Sequence, residues 1–142
     1  MKLACKAGLT LATLLAGTSA ALAESPVGFW TVHFFSEPSL AETATHGICF
    51  KPNHTLYVTD FPFQGGWFNE GDGLRWYGVA SSTAVADADQ FITKKLITGT
   101  FDEFALSDGS TVNNGNEALA FVSSTCPPPP SSAAAPHRTL TK

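Results

Sequence analysis

Histidines, acidic pairs, two cysteines and a cluster of tryptophans are the residues of this chain whose chemistry could do work. His33, His46 and His54, taken with Glu42 or Asp60, supply the imidazole and carboxylate groups that suit zinc. Their placement does not gather them: His54 falls in a predicted turn and His33 on the outer face of a predicted strand. They read as scattered surface residues, and no metal is expected. Asp102 and Glu103 are adjacent, so an extended chain points them to opposite sides, which argues against a cooperating acid pair. Asp87 and Asp89 share a face if their segment is extended, and read as a solvated rim. No glycine-rich phosphate loop, nucleophile elbow or zinc-protease helix occurs. No catalytic residue and no cofactor is therefore assigned.

All three tryptophans and both tyrosines lie within Trp30 to Tyr77. Aromatic walls make small-molecule pockets, with a few polar groups to fix orientation. Trp30, Phe34, Trp67 and Trp76 are the candidate lining, with Arg75 or Tyr77 near the mouth. The competing expectation is an ordinary packed core. Phe61-Pro62-Phe63 offers two further readings, an exposed anchor for a protein partner or a loop buried under the end of the fold.

The elements that must position these residues start after residue 23. Lys2 and Lys6 form a basic start, Ala7 to Leu14 an apolar stretch, and Ala21-Leu22-Ala23 a small-x-small cleavage site, so residues 1–23 read as a secretory signal cleaved after Ala23. Gly17, Thr18 and Ser19 interrupt the stretch before it reaches the roughly 20 apolar residues a membrane span needs. Secretion or export to a periplasm is implied. Cys5 leaves with the signal, and the remaining pair, Cys49 and Cys126, reads as one disulfide in an oxidising compartment, with two separate buried thiols as the alternative. The body, 24–126, keeps Lys51, Arg75, Lys94 and Lys95 against all 12 acidic residues, a formal charge of −8. That leaves no phosphate-neutralising surface and argues against nucleic-acid binding or docking on anionic lipid.

Gly28 to Phe35 is aromatic and β-branched and reads as a first strand, with Trp30, Val32 and Phe34 on the inner face. Ser39-Leu40-Ala41-Glu42 has capping-box spacing, which predicts one helical turn. Thr45 to Phe50 and Thr55 to Phe61 flank the turn Lys51-Pro52-Asn53-His54, and a second hairpin turns at Glu70-Gly71-Asp72-Gly73. Residues 81–95 fit a helix through Val85, Ala88, Ile92 and Leu96, or a strand. Leu96 to Leu106 is a strand, and Asn113-Asn114-Gly115 introduces a last one from Glu117 to Thr125. The expected fold is all-β, a small antiparallel barrel, closed or nearly closed, of about 7–8 strands with at most one short helical segment. After Cys126 the four prolines 127–130 and the Ser/Ala run make 127–142 a disordered tail. Asn53-His54-Thr55 matches the N-glycosylation pattern, which matters in a eukaryotic host.

Gly28-Phe29-Trp30, at the start of the first strand of a small exported barrel, resembles the opening of the lipocalins and avidins, the calycin-type barrels. That resemblance implies a ligand held in the barrel mouth, although no set of biotin contacts aligns. Small exported barrel inhibitors of bacterial proteases are similar in having a signal, one disulfide and a tryptophan in the first strand. The expected function is non-catalytic binding of a small apolar or aromatic ligand. A protein-interaction module such as a secreted protease inhibitor is the second reading, and a structural envelope protein or a small enzyme with dispersed residues completes the set.

Overall fold

A computed structural model describes residues 24–131; the signal reading and most of the tail reading lie outside them. Eight strands follow one another: β1 (Gly28–Ser36), β2 (Ala41–Phe50), β3 (Thr55–Val58), β4 (Gln64–Glu70), β5 (Gly73–Val79), β6 (Thr83–Thr93), β7 (Leu96–Ala105) and β8 (Thr111–Ser123). Each pairs antiparallel with the next, and β8 pairs with β1, closing the barrel in strand order. Closure leaves no open sheet edge, which is how a small all-β domain avoids edge-to-edge association. Among the described residues no helix is long and apolar enough to cross a membrane.

Alternation decides which side chains enter. Trp30 and Val32 on β1 are buried and Phe34 packs on the core, while Thr31 and His33 on the same strand are only half-buried. The up-and-down path also gives the barrel two different ends. The β2–β3, β4–β5 and β6–β7 turns lie at one, with Glu24 and Cys126; the β1–β2, β3–β4, β5–β6 and β7–β8 connections surround the other. The first end is plugged by Trp30, Ile48, Phe50, Leu56, Trp67, Leu74, Ile97 and Leu119, all buried. Trp30 Nε1 donates to the Pro26 carbonyl at 2.7 Å and Trp67 Nε1 to the Lys51 carbonyl at 2.9 Å, so neither indole N–H is left unmatched.

The disulfide is present: Cys49 and Cys126 are bonded with Cα atoms 5.7 Å apart. It pins the segment after β8 across the outside of β2 and β3, where the Tyr57 hydroxyl donates to the Pro127 carbonyl and Cys49 is fully covered.

Three local expectations are corrected. Ser39 to Glu42 forms no helical turn: residues 37–40 are a tight turn and β2 begins at Ala41, opposite Ser36. Leu40 there has φ +52°, outside helical space, and the Ser39 hydroxyl accepts from Ala41 N at 3.3 Å, too early for a capping box. Pairing of β1 with β2 overrides the local pattern. The last strand starts at Thr111, and Asn113-Asn114-Gly115 lies inside it, because Asp108 and Gly109 (φ +73°) already make the turn. Asp108 Oδ1 accepts from Ser110 N at 3.0 Å and Ser110 Oγ at 2.7 Å. Asp87 and Asp89, read as a solvated rim, are buried. The open choice over 81–95 resolves as strand, since β6 has partners along both sides and Ile92, inward in a helix, is exposed.

Candidate functional site

The open end of the barrel contains a cavity of about 130 Å³. Phe34, Phe61, Phe63, Trp76 and Phe101 supply its aromatic surface, with Val32, Ala44, Val58 and Val85 between them. The rings meet mostly edge to face: Phe34 and Phe101 are 4.8 Å apart between centroids, and Phe63 and Trp76 6.4 Å. Thr43, His46, Glu103 and Asn113 complete the lining.

His46 is the polar group set among these rings. It faces inward on β2 beside Phe34, its ring 4.8 Å from Phe61, and its Nδ1 is 2.6 Å from Asp60 Oδ2 on the β3–β4 connection. In the neutral imidazole, Nδ1–H donated to Asp60 leaves Nε2 as an acceptor. Thr43 Oγ1 shares a hydrogen bond with Ser36 Oγ at 2.9 Å and donates to the Phe34 carbonyl at 3.4 Å. Glu103 has no ion-pair partner among the described residues.

Below the aromatic floor lies a layer of three carboxyl groups. Asp87, Asp89 and Glu117 are 6, 4 and 2% exposed. Trp76 Nε1 donates to Asp89 Oδ2 at 2.9 Å and to Glu117 Oε1 at 3.2 Å. Both oxygens of Asp87, Asp89 Oδ1 and Glu117 Oε2 are buried with no other donor. Three charged carboxylates would be intolerable there, because desolvation and mutual repulsion both penalise the ionised forms. Burial raises Asp87 and Glu117 well above the carboxylate range, and the charges of neighbouring acids add to it. Burial pushes Asp89 up to about 6, against opposing hydrogen bonds from Glu117 and Trp76 and the charge of Arg75. Protonated carboxyls become donors, and Glu117 is placed to share hydrogen bonds with both aspartates.

Gly99 makes this layer attainable. It lies directly between Asp89 on β6 and Glu117 on β8 in the sheet register, and with no side chain it lets the two acids meet across β7. A Cβ at Gly99 would sit 1.9 Å from Asp89 Oδ1 and 2.3 Å from the Ala88 carbonyl. Gly99→Ala is expected to cost about 2–3 kcal/mol, as overpacking does, read from urea unfolding midpoints. A loss below about 0.5 kcal/mol, the scale of a neutral surface change, would show that the acids do not need this gap.

The sequence-predicted residues separate by height in the barrel. Phe34 and Trp76 line the cavity. Trp30 and Trp67 belong to the plug at the opposite end, where Trp67 stacks on His54 with centroids 4.3 Å apart. Arg75 and Tyr77 point outward on β5; Arg75 Nε pairs with Glu70 Oε2 at 2.6 Å and Tyr77 is 54% exposed. Phe61 and Phe63 turn into the cavity wall, Phe63 being buried. His33 pairs with Glu42 at 2.9 Å on the outside, apart from His46 and Asp60, and among the described residues no three His, Cys, Asp or Glu are arranged to hold one metal ion. Sequence reading missed His46 with Asp60 as a cavity pair and the Asp87–Asp89–Glu117 layer. The two-residue spacing of Asp87 and Asp89 in a chain alternating Val85, Asp87, Asp89, Phe91 was the available signal for the latter, since its flanking members are apolar.

The fold and site define a closed eight-stranded antiparallel barrel with one filled end and one hollow, aromatic end. Comparison with protein families, with curated proteins and with solved structures finds no match.

Proposed function

We propose that this chain is an exported barrel whose open end binds a small apolar or aromatic molecule without catalysis. The observation that carries this reading is the unfilled cavity of about 130 Å³ among five aromatic side chains, in a barrel whose other end is fully packed. An apolar cavity on the order of 150 Å³ can take up a molecule the size of benzene. The ligand is accordingly about one ring in size, with a polar group directed at the mouth. The Cys49–Cys126 bond fits an oxidising compartment and so supports export.

Trp76 lines the cavity and is the natural reporter. Titration with toluene or indane is expected to change its fluorescence saturably, and Trp76→Phe to remove the response while Trp30 and Trp67 stay silent. Ala44→Leu, which places extra carbon atoms in the cavity, is expected to weaken binding at least tenfold while the circular dichroism of the barrel is retained. Undiminished binding to the Ala44→Leu protein would move the ligand elsewhere.

A further inference from the structure

The two ends of the barrel differ in charge as well as in packing. All four basic residues of the described body belong to the plugged half: Lys51 in the β2–β3 turn, Arg75 paired with Glu70 beside the β4–β5 turn, and Lys94 and Lys95 in the β6–β7 turn. The connections and strand ends around the cavity carry Glu37, Glu42, Asp60, Asp102, Glu103 and Asp108, and no lysine or arginine. Two of these acids face histidines, Glu42 with His33 and Asp60 with His46. Inside the cavity the polar groups are acceptors or neutral: the Glu103 carboxylate, His46 Nε2 when the imidazole is neutral, and the Asn113 amide. Phe34, Phe61, Phe63, Trp76 and Phe101 ring the cavity, and an aromatic face met by a cation attracts it through its quadrupole.

We propose that the ligand is a small organic cation, an ammonium carried on a single aromatic ring or a short apolar group. This rests on the binding reading above and adds its charge. The apolar part occupies the aromatic cavity, and the ammonium remains at the mouth, donating to Glu103 and stabilised by the rings around it. The acidic rim raises the local concentration of cations and lowers that of anions before any contact forms. A carboxylate or phosphate ligand would find no lysine or arginine in the lining and would be repelled by the acids around the mouth.

The test compares three near-isosteres, 2-phenylethylamine, 2-phenylethanol and phenylacetate, by calorimetry and Trp76 fluorescence at neutral pH, on the full exported chain. The amine is expected to bind about tenfold more tightly than the alcohol at low ionic strength, as a partly exposed ion pair and cation–π contacts together allow. Phenylacetate is expected to bind most weakly. Added salt should narrow the gap between amine and alcohol. Glu103→Gln is expected to lower amine affinity about fivefold, the scale of a solvent-accessible ion pair, and to lower alcohol affinity by less, since the alcohol loses no ion pair. Equal affinities for amine and alcohol, or a preference for phenylacetate, would overturn the cationic assignment while the cavity stands. Binding of none of the three, with toluene also inert, would overturn the cavity itself.

Discussion

Replacing Cys49 and Cys126 by alanine lowers the stability of the barrel by about 4 kcal/mol in the chain-entropy description, the largest loss expected from any single covalent change. The bonded residues are 77 positions apart, and the loop they close runs from the end of β2 through the whole of β8. An unfolded chain without the link gains the freedom of that entire segment. The folded chain loses something as well, because the bond holds the Pro127 carbonyl over the Tyr57 hydroxyl and covers the outer side of β2. Net stabilities of small domains are about 5–15 kcal/mol, so the variant loses a large share of its stability. Urea unfolding of the wild type with and without reductant, beside the double alanine variant, reads the effect. A difference under about 1 kcal/mol would mean that β1–β8 pairing alone constrains the chain ends, since it closes the barrel without help from the disulfide.

Stability falls, and does not rise, as pH increases from about 4 through about 6, the opposite of the usual acid-denaturation pattern. The cause is the buried layer of Asp87, Asp89 and Glu117. Each has a folded-state pKa above its ordinary value, so the folded chain holds more protons than the unfolded one across that window. Their stabilisation is complete below the ordinary carboxylate range and is lost as each ionises. For Asp89, raised from 3.8 to about 6, the loss is about 3 kcal/mol by linkage. Asp87 and Glu117 extend the decline to higher pH. Glu42, lowered by its hydrogen bond from Thr45 and then by His33, and Asp108, lowered by Ser110, act with the opposite sign, but both are fully exposed and well screened. Urea midpoints at several pH values between 4 and 8 measure the slope. The triple variant Asp87→Asn/Asp89→Asn/Glu117→Gln, which removes all three titrating groups, should flatten it. A wild-type midpoint that climbs from pH 4 to 7 would show that the three acids are charged and matched in the folded state.

Much of this architecture was legible along the chain because its determinants are local. Alternation of Trp30, Val32 and Phe34 with Thr31 and His33 assigns an inside and an outside to β1 with no knowledge of its neighbours. Pro52-Asn53 and Gly71-Asp72 mark two hairpins through their backbone preferences, and the pair of cysteines left after residue 23 pointed to the disulfide that the structure contains. Local signals failed where a partner strand outweighed them, as at Ser39–Glu42, where pairing of Ser36 with Ala41 leaves no room for a helical turn.

The site was only half legible, for a geometric reason. Alternation encodes whether a side chain points inward but not its height in the barrel, which depends on strand direction and register. Trp30, Trp67 and Trp76 are all inward, yet the first two plug one end and the third forms the floor of the cavity at the other. His46 meets Asp60 because a hairpin returns the chain beside it. Asp89 reaches Glu117 because β7 lies between their strands and carries Gly99 at the crossing. The sequence by itself determined the all-β class, most of the strands, the inner face of β1, two hairpin turns and the cysteine pair. Only the closed tertiary structure decided which end was filled, which was left hollow, and where the acids had to be buried, because those outcomes depend on side chains brought together from strands remote along the chain.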